Sequence, residues 1–204
     1  MTGQRRESTE QALLRAARTV FADKGFFNAK ITDITREAGC SAGSFYTYYE
    51  NKTQILDALL DEFTGQVTAA SLASRSGSPY EQISGVVGAF WTAFRAHRPE
   101  MIGLFGLRLT DARYATRWRE VRALGVSGIA AQLVEFERSG CRLVGEPQVL
   151  ASALLSMLES FAWTWIAEDG DLGVPAPGDD EAIATLSRMW FAMLFGPQPD
   201  LGDG

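Results

Sequence analysis

Leu13, Ala16, Ala17, Val20 and Phe21 recur at i, i+3, i+4, i+7 and i+8, the spacing that gathers apolar side chains on one face of a helix. Ser8 or Thr9 can cap the start of that helix, and Lys24-Gly25 supplies an ending of the usual glycine type. Two short helices are predicted next, over about 32–38 and 42–49, separated by Gly39-Cys40-Ser41. A long helix follows from about Thr53, with Leu56, Leu59, Leu60, Phe63, Val67 and Ala70 along one side, and SRSGSP over 74–79 breaks it. Helical patterning then returns over 80–97, 99–109, 112–139, 147–168 and 179–195, interrupted at His97-Arg98-Pro99, Thr110-Asp111, Ser139-Gly140 and a longer loop over 170–180. No run alternates in the manner of a strand. The predicted fold is all-α: a three-helix head over 1–52, a helical body over 53–196 and a tail over 197–204.

Charge divides along the same line. The whole chain carries a net charge of −6, but residues 1–52 hold eight Lys/Arg against six Asp/Glu, which leaves the rest at −8. A mildly basic head on an acidic body suits a DNA reader with a separate regulatory part. A hydrophobic content of 46% supports a sizeable core. Cys40 and Cys141 stand far apart and without metal-ligand spacing, so they read as reduced thiols of a cytoplasmic protein. The N-terminal MTGQRRESTEQ has no apolar run of the signal-peptide kind. Residues 149–167 reach membrane-spanning length with Glu159 as their one charge. Interspersed serines and flanking acids favour a helix buried between subunits instead, so no membrane partner is expected.

The head carries the chemistry. A helix-turn-helix needs a first helix across the DNA backbone, a tight turn and a second helix whose N-terminal residues meet base edges in the major groove. Ile34 and Ala38 give the first helix its apolar side, Gly39 makes the turn and Ser41 can cap the second helix. Phe45 and Tyr49, four apart, face inward against Leu13, Ala17 and Phe21. The opposite side presents Ala42, Gly43, Ser44, Tyr46, Thr47 and Tyr48, small or hydroxyl-bearing and free of acids. Small residues allow close approach to the groove, and hydroxyls bond to bases or phosphates. Lys52, just beyond, suits a phosphate contact.

These residues carry a resemblance. The stretch ITDITREAGCSAGSFYTYYENKTQIL, residues 31–56, resembles the DNA-binding signature of the TetR family of transcriptional regulators. The likeness lies in the Ala-Gly-x-Ser turn, the Gly-Ser-Phe-Tyr opening of the recognition helix, Asn-Lys before the fourth helix, and the upstream Phe21-Ala-Asp-Lys-Gly-Phe26. It implies a DNA-facing set of Ser41, Ala42, Gly43, Ser44, Tyr46, Thr47, Tyr48 and Lys52, a homodimer and a small-molecule effector. Where the family has a hydroxyl residue before the first helix of the motif, Ala29 and Lys30 stand here: Lys30 replaces that phosphate contact, or Thr32 caps the helix instead. Cys40 takes the place of an aliphatic residue.

For the body, the resemblance implies that the last two helices pair with those of a second copy. Leu154, Leu158 and Phe161, with the stripe Ile183, Leu186, Trp190 and Met193, are the expected dimer interface. The aromatics point to a pocket for a lipophilic or aromatic effector, lined by Phe63, Phe94, Phe105, Trp118 and Trp163. Arg108 and Glu159, charges in apolar surroundings, either orient that effector or have blander roles: Arg108 snorkelling to solvent, Glu159 bonding across the interface. His97 reads as a surface cap. An enzyme is not expected: there is no phosphate-cradling glycine loop, no Gly-x-Ser-x-Gly, no metal cluster, no cofactor motif and one histidine. The reading is a ligand-responsive regulator, repressing from a near-palindromic operator. A DNA-binding scaffold without effector and an activator are its rivals.

Overall fold

The computed structural model of the chain describes residues 8–168 and 170–195, so the expected tail over 197–204 lies outside the described residues. Among those described there are helices and no strand: α1 (Thr9–Asn28), α2 (Ile31–Glu37), α3 (Ala42–Tyr48), α4 (Lys52–Ala73), α5 (Pro79–Ala96), α6 (Arg98–Leu107), α7 (Ala112–Arg138), α8 (Pro147–Ala162) with a π-helical continuation Trp163–Ala167, and α9 (Asp179–Phe195). The all-α reading stands.

Local chemistry sets the ends. Ser8 caps α1 in a reciprocal box: its hydroxyl accepts the Gln11 N–H at 3.2 Å, while Gln11 Oε1 accepts the Ser8 N–H at 3.3 Å. Gly25, at φ 73°, breaks α1 where the sequence places its end, and the chain regains a helical turn up to Asn28. Asn51 Oδ1 accepts the N–H groups of Thr53 and Gln54, both at 3.0 Å, to start α4.

The chain forms two compact units. The first runs up to Thr64 and takes in His97–Ala115; the second comprises Gly65–Ala96 and the chain from Thr116 on. These units do not coincide with the sequence division at residue 52: the start of α4, all of α6 and the first turn of α7 belong with the head. The first unit is built on the buried face of α1 (Leu13, Ala16, Ala17, Val20, Phe21), with Ile34, Phe45, Leu56, Leu59, Leu60, Met101 and Leu104. Tyr114, buried here, donates its hydroxyl to the Thr53 carbonyl at 3.1 Å.

In the second unit α5 packs chiefly on α9, and Gly88 lets Ile183 approach to 3.8 Å of where a Cβ would stand. Trp91 Nε1 donates to Asp179 Oδ1 at 2.8 Å, and Arg95 pairs with the same oxygen at 2.6 Å. Together these fix the start of α9 against α5. The apolar segment that reaches spanning length turns Leu154, Leu155, Leu158 and Ala162 into this core. Its one charge, Glu159, is buried and ion-paired with Arg122, whose other nitrogen donates to Ser156 Oγ at 3.0 Å.

Candidate nucleic-acid interface

The turn Gly39-Cys40-Ser41 joins α2 to α3, with Gly39 at φ 65°, a conformation that costs a side chain dearly. Ser41 caps α3, accepting the Ser44 N–H at 3.1 Å, and its hydroxyl lies 3.0 Å from that of Ser44. Phe45 is wholly buried and Tyr49, which ends the helix, nearly so. Burial first, then the carboxylates of Glu10 and Glu62, push the Tyr49 phenol up to about 12. Two inward rings four residues apart thus lock α3 by one side, and the other side faces outward.

That outward side holds the residues expected there. Ser41, Ala42, Gly43, Thr47, Tyr46 and Tyr48 are exposed, the two phenols by 58% and 43%, and Ser44 is half-buried. The chain leaves few of its rings exposed, and two phenols side by side on one helix suit a surface completed by a partner. The Thr47 hydroxyl donates to the Gly43 carbonyl at 3.1 Å, so it reaches outward as an acceptor.

Two expectations change. Thr32 is exposed inside α2 and caps nothing. The helix opens at Lys30, whose N–H is accepted by the Asp33 carboxylate at 3.1 Å, a bond only a side chain three residues on can reach. Lys30 itself keeps an exposed side chain. Lys52 does not point outward: its ammonium donates to the carbonyls of Phe26, Phe27 and Ala29 at 2.6, 3.1 and 2.9 Å and lies 4.6 Å from the Phe26 ring centre. An ammonium has three protons, and all three are engaged in closing the end of α1. Burial lowers the Lys52 pKa accordingly.

Arg36 of α2 is a further cation on this side of the head, outside the expected set. Its side chain is 78% exposed, with Asp33 3.6 Å away. Asp33 also pairs with Lys24 at 2.8 Å, and the Lys24 contact, followed by the Lys30 N–H, holds its carboxyl below the ordinary value.

In the body the expected sets separate. Phe63, Phe105 and Arg108 fall in the first unit, with the Arg108 guanidinium 4.3 Å from the Phe105 ring centre; Phe94, Trp118, Glu159 and Trp163 fall in the second. Of the expected interface, Leu154, Leu158, Leu186 and Trp190 are at most 2% exposed and fill the chain's own core. Phe161 is half-buried against Trp91, and Ile183 is half-buried too. Met193 is exposed, together with Met189 and Phe191 on α9 and Val149 on α8. An all-round apolar helix announces burial on both sides without saying which side is whose. His97 is buried as well, at 1% exposure, where a surface cap was expected: it occupies the N-cap position of α6 with its side chain inward.

Residues 13–59 match the model of the bacterial regulatory proteins of the tetR family. Over those residues the chain is similar to the TetR family. Over 198 residues it is 22% identical to the HTH-type transcriptional regulator EthR of Mycolicibacterium smegmatis, covering 95% of this chain and 89% of that one. It is 28% identical over 109 residues to the HTH-type transcriptional repressor KstR2 of the same organism, about half of each chain (51% and 53%). Among solved structures, FadR from Bacillus subtilis in complex with stearoyl-CoA superposes with a TM-score of 0.73 at 17% identity, over 92% of this chain and 98% of that one. These likenesses are to DNA-binding transcriptional regulators of the helix-turn-helix class and not to enzymes.

Proposed function

We propose that the protein acts as a homodimeric repressor, holding a near-palindromic operator through two copies of α3 and leaving it when a lipophilic or aromatic small molecule binds the body. The observation that carries this reading is the two-sided recognition helix, with Phe45 and Tyr49 buried and Ala42, Gly43, Tyr46, Thr47 and Tyr48 outward. Ser41, Ser44, Lys30, Thr32 and Arg36 complete the DNA-facing surface. With no Arg, Asn or Gln on the outward side of α3, specificity comes from thymine methyl contacts, backbone N–H groups and DNA shape more than from bidentate base pairing. Exposed Met189, Phe191 and Met193 support pairing of a second copy against α9.

For the effector, Phe94, Trp118 and Trp163 of the second unit supply aromatic surface. Glu159 is satisfied by Arg122 and orients no ligand while that pair holds. The stearoyl-CoA in the FadR neighbour lends support to a long-chain lipophilic class. The two recognition helices of a dimer enter successive major grooves about 34–36 Å apart. An effector that prefers a different spacing lowers operator affinity only as far as that preference goes. α4 passes from the first unit into the second, so it is the element whose displacement would report effector binding to the head. The test is release of a fluorescent operator duplex by a panel of acyl-CoAs, fatty acids and aromatic compounds. Dose-dependent release by one lipophilic class is expected. Operator binding that no such compound alters would favour a DNA-binding scaffold without an effector.

A further inference from the structure

Glu100 of α6 is completely buried, and a buried carboxylate must be paired to persist there. Its Oε1 accepts a hydrogen bond from Arg18 Nε of α1 at 3.2 Å and lies 3.7 Å from His97 Nδ1. The other arm of the same guanidinium donates from Nη2 to Glu62 Oε2 of α4 at 2.5 Å. One planar cation thus spans two carboxylates on two different helices, a geometry an ammonium cannot reproduce. Burial works against the Arg18 charge, yet the two carboxylates outweigh it and raise its pKa.

The same face of α6 meets α1 a second time. Beyond Glu100 come Gly103 and Gly106, where a Cβ would stand 3.0 Å from Phe26 and 2.5 Å from the Phe27 ring. The carbonyls of Phe26 and Phe27 are the ones Lys52 holds, just ahead of α2. α1 also packs directly on α3, and the charge of Glu62 helps raise the phenol of Tyr49, the residue that ends the recognition helix. Arg18 therefore stands at the junction of α1, α4 and α6, one carboxylate away from the end of α3.

We propose that Arg18 is a positioning residue for DNA binding: by bridging Glu62 and Glu100 it fixes α1 on α4 and α6, and so sets the stance of α3 without touching DNA. This rests on the reading of α3 as the DNA-reading helix. The test uses the full chain and a duplex that the unaltered protein enriches from a random pool, with Arg18→Lys, Glu62→Gln, Arg18→Met and the charge-neutral pair Arg18→Met/Glu100→Gln.

Arg18→Lys and Glu62→Gln keep charge or bulk at partly exposed positions, and melting within a few degrees of wild type is expected of both. Operator affinity should fall at least about five-fold in each, the lower end of coupling between separate sites. Hydrogen exchange should accelerate at the α3 amides and stay unchanged in α8. The neutral pair should recover part of the affinity that Arg18→Met alone loses. Wild-type affinity and wild-type α3 exchange in folded Arg18→Lys and Glu62→Gln would overturn the proposal. So would losses that merely track the unfolded fraction. If the unaltered protein enriches no duplex, the DNA reading itself fails, whereas the α3 exchange still shows whether Arg18 holds that helix.

Discussion

Lys52 and Tyr46 are both residue types that DNA-binding surfaces use, yet the fold sends one inward and the other outward. Lys52→Ala strips a charged donor from three carbonyls, so about 1–3 kcal/mol of stability should be lost in urea denaturation. Operator affinity should fall only as the folded fraction does. Tyr46→Phe should show the reverse: an unchanged denaturation midpoint and operator binding weaker by about 1–3 kcal/mol. Tyr49 adds a pH signature. Its phenol is raised from 10.0 to about 12, so folding favours the protonated form; that contribution is fully present below pH 10 and lost as pH rises through about 12. Wild-type stability should therefore drop more steeply than that of Tyr49→Phe between pH 10 and 12, and parallel curves would contradict the assignment. The inward pair Phe45 and Tyr49 was legible from its spacing alone. The role of Lys52 was not, because its partners lie 23–26 residues back along the chain and meet it only in space.

Helices and breaks were legible wherever an apolar period ran into Gly, Pro or a polar cluster: Gly25, the turn at Gly39 and the 74–79 break all fall where the pattern stops. What periodicity does not carry is which neighbour a face meets. α6 shows this best, since Gly103 and Gly106 look like weak points of a short helix and are contact points against Phe26 and Phe27. Gly103→Ala should destabilise the protein despite the better helix propensity of alanine, because its Cβ would stand 3.0 and 3.1 Å from Cγ and Cβ of the buried Phe26, atoms too close to the backbone to give way. At Gly128 of α7 nothing stands within 4 Å, and Gly128→Ala should instead add about 0.5–1 kcal/mol. Thermal melts of the two variants, shifted in opposite directions, check both. The π-helical turn after α8 is likewise invisible to a 3.6-residue period: WTWIA reads as more helix until the widened turn is seen.

At the scale of the whole molecule, the helices of the head and the two sides of α3 were legible from local sequence and the body only in outline. α8 and α9 read as one apolar surface, and the structure divides it into a core side (Leu154, Leu158, Leu186, Trp190) and an outer side (Val149, Met189, Phe191, Met193). Met193→Glu should dissociate a dimer in sedimentation while leaving helicity intact, whereas Trp190→Ala should cost about 3–5 kcal/mol of folding stability through the cavity it opens. The two compact units cut α4 at Thr64, past the charge boundary at residue 52, because packing follows the apolar face of α4 and net charge does not. The central claim is that the exposed side of α3 reads DNA. The most direct measurement is enrichment of duplexes from a random pool by the full-length protein, followed by affinity at two salt concentrations. One near-palindromic sequence should emerge, bound more weakly as salt rises in proportion to the phosphates contacted. A pool that emerges unenriched, with binding equal on every duplex, would contradict it.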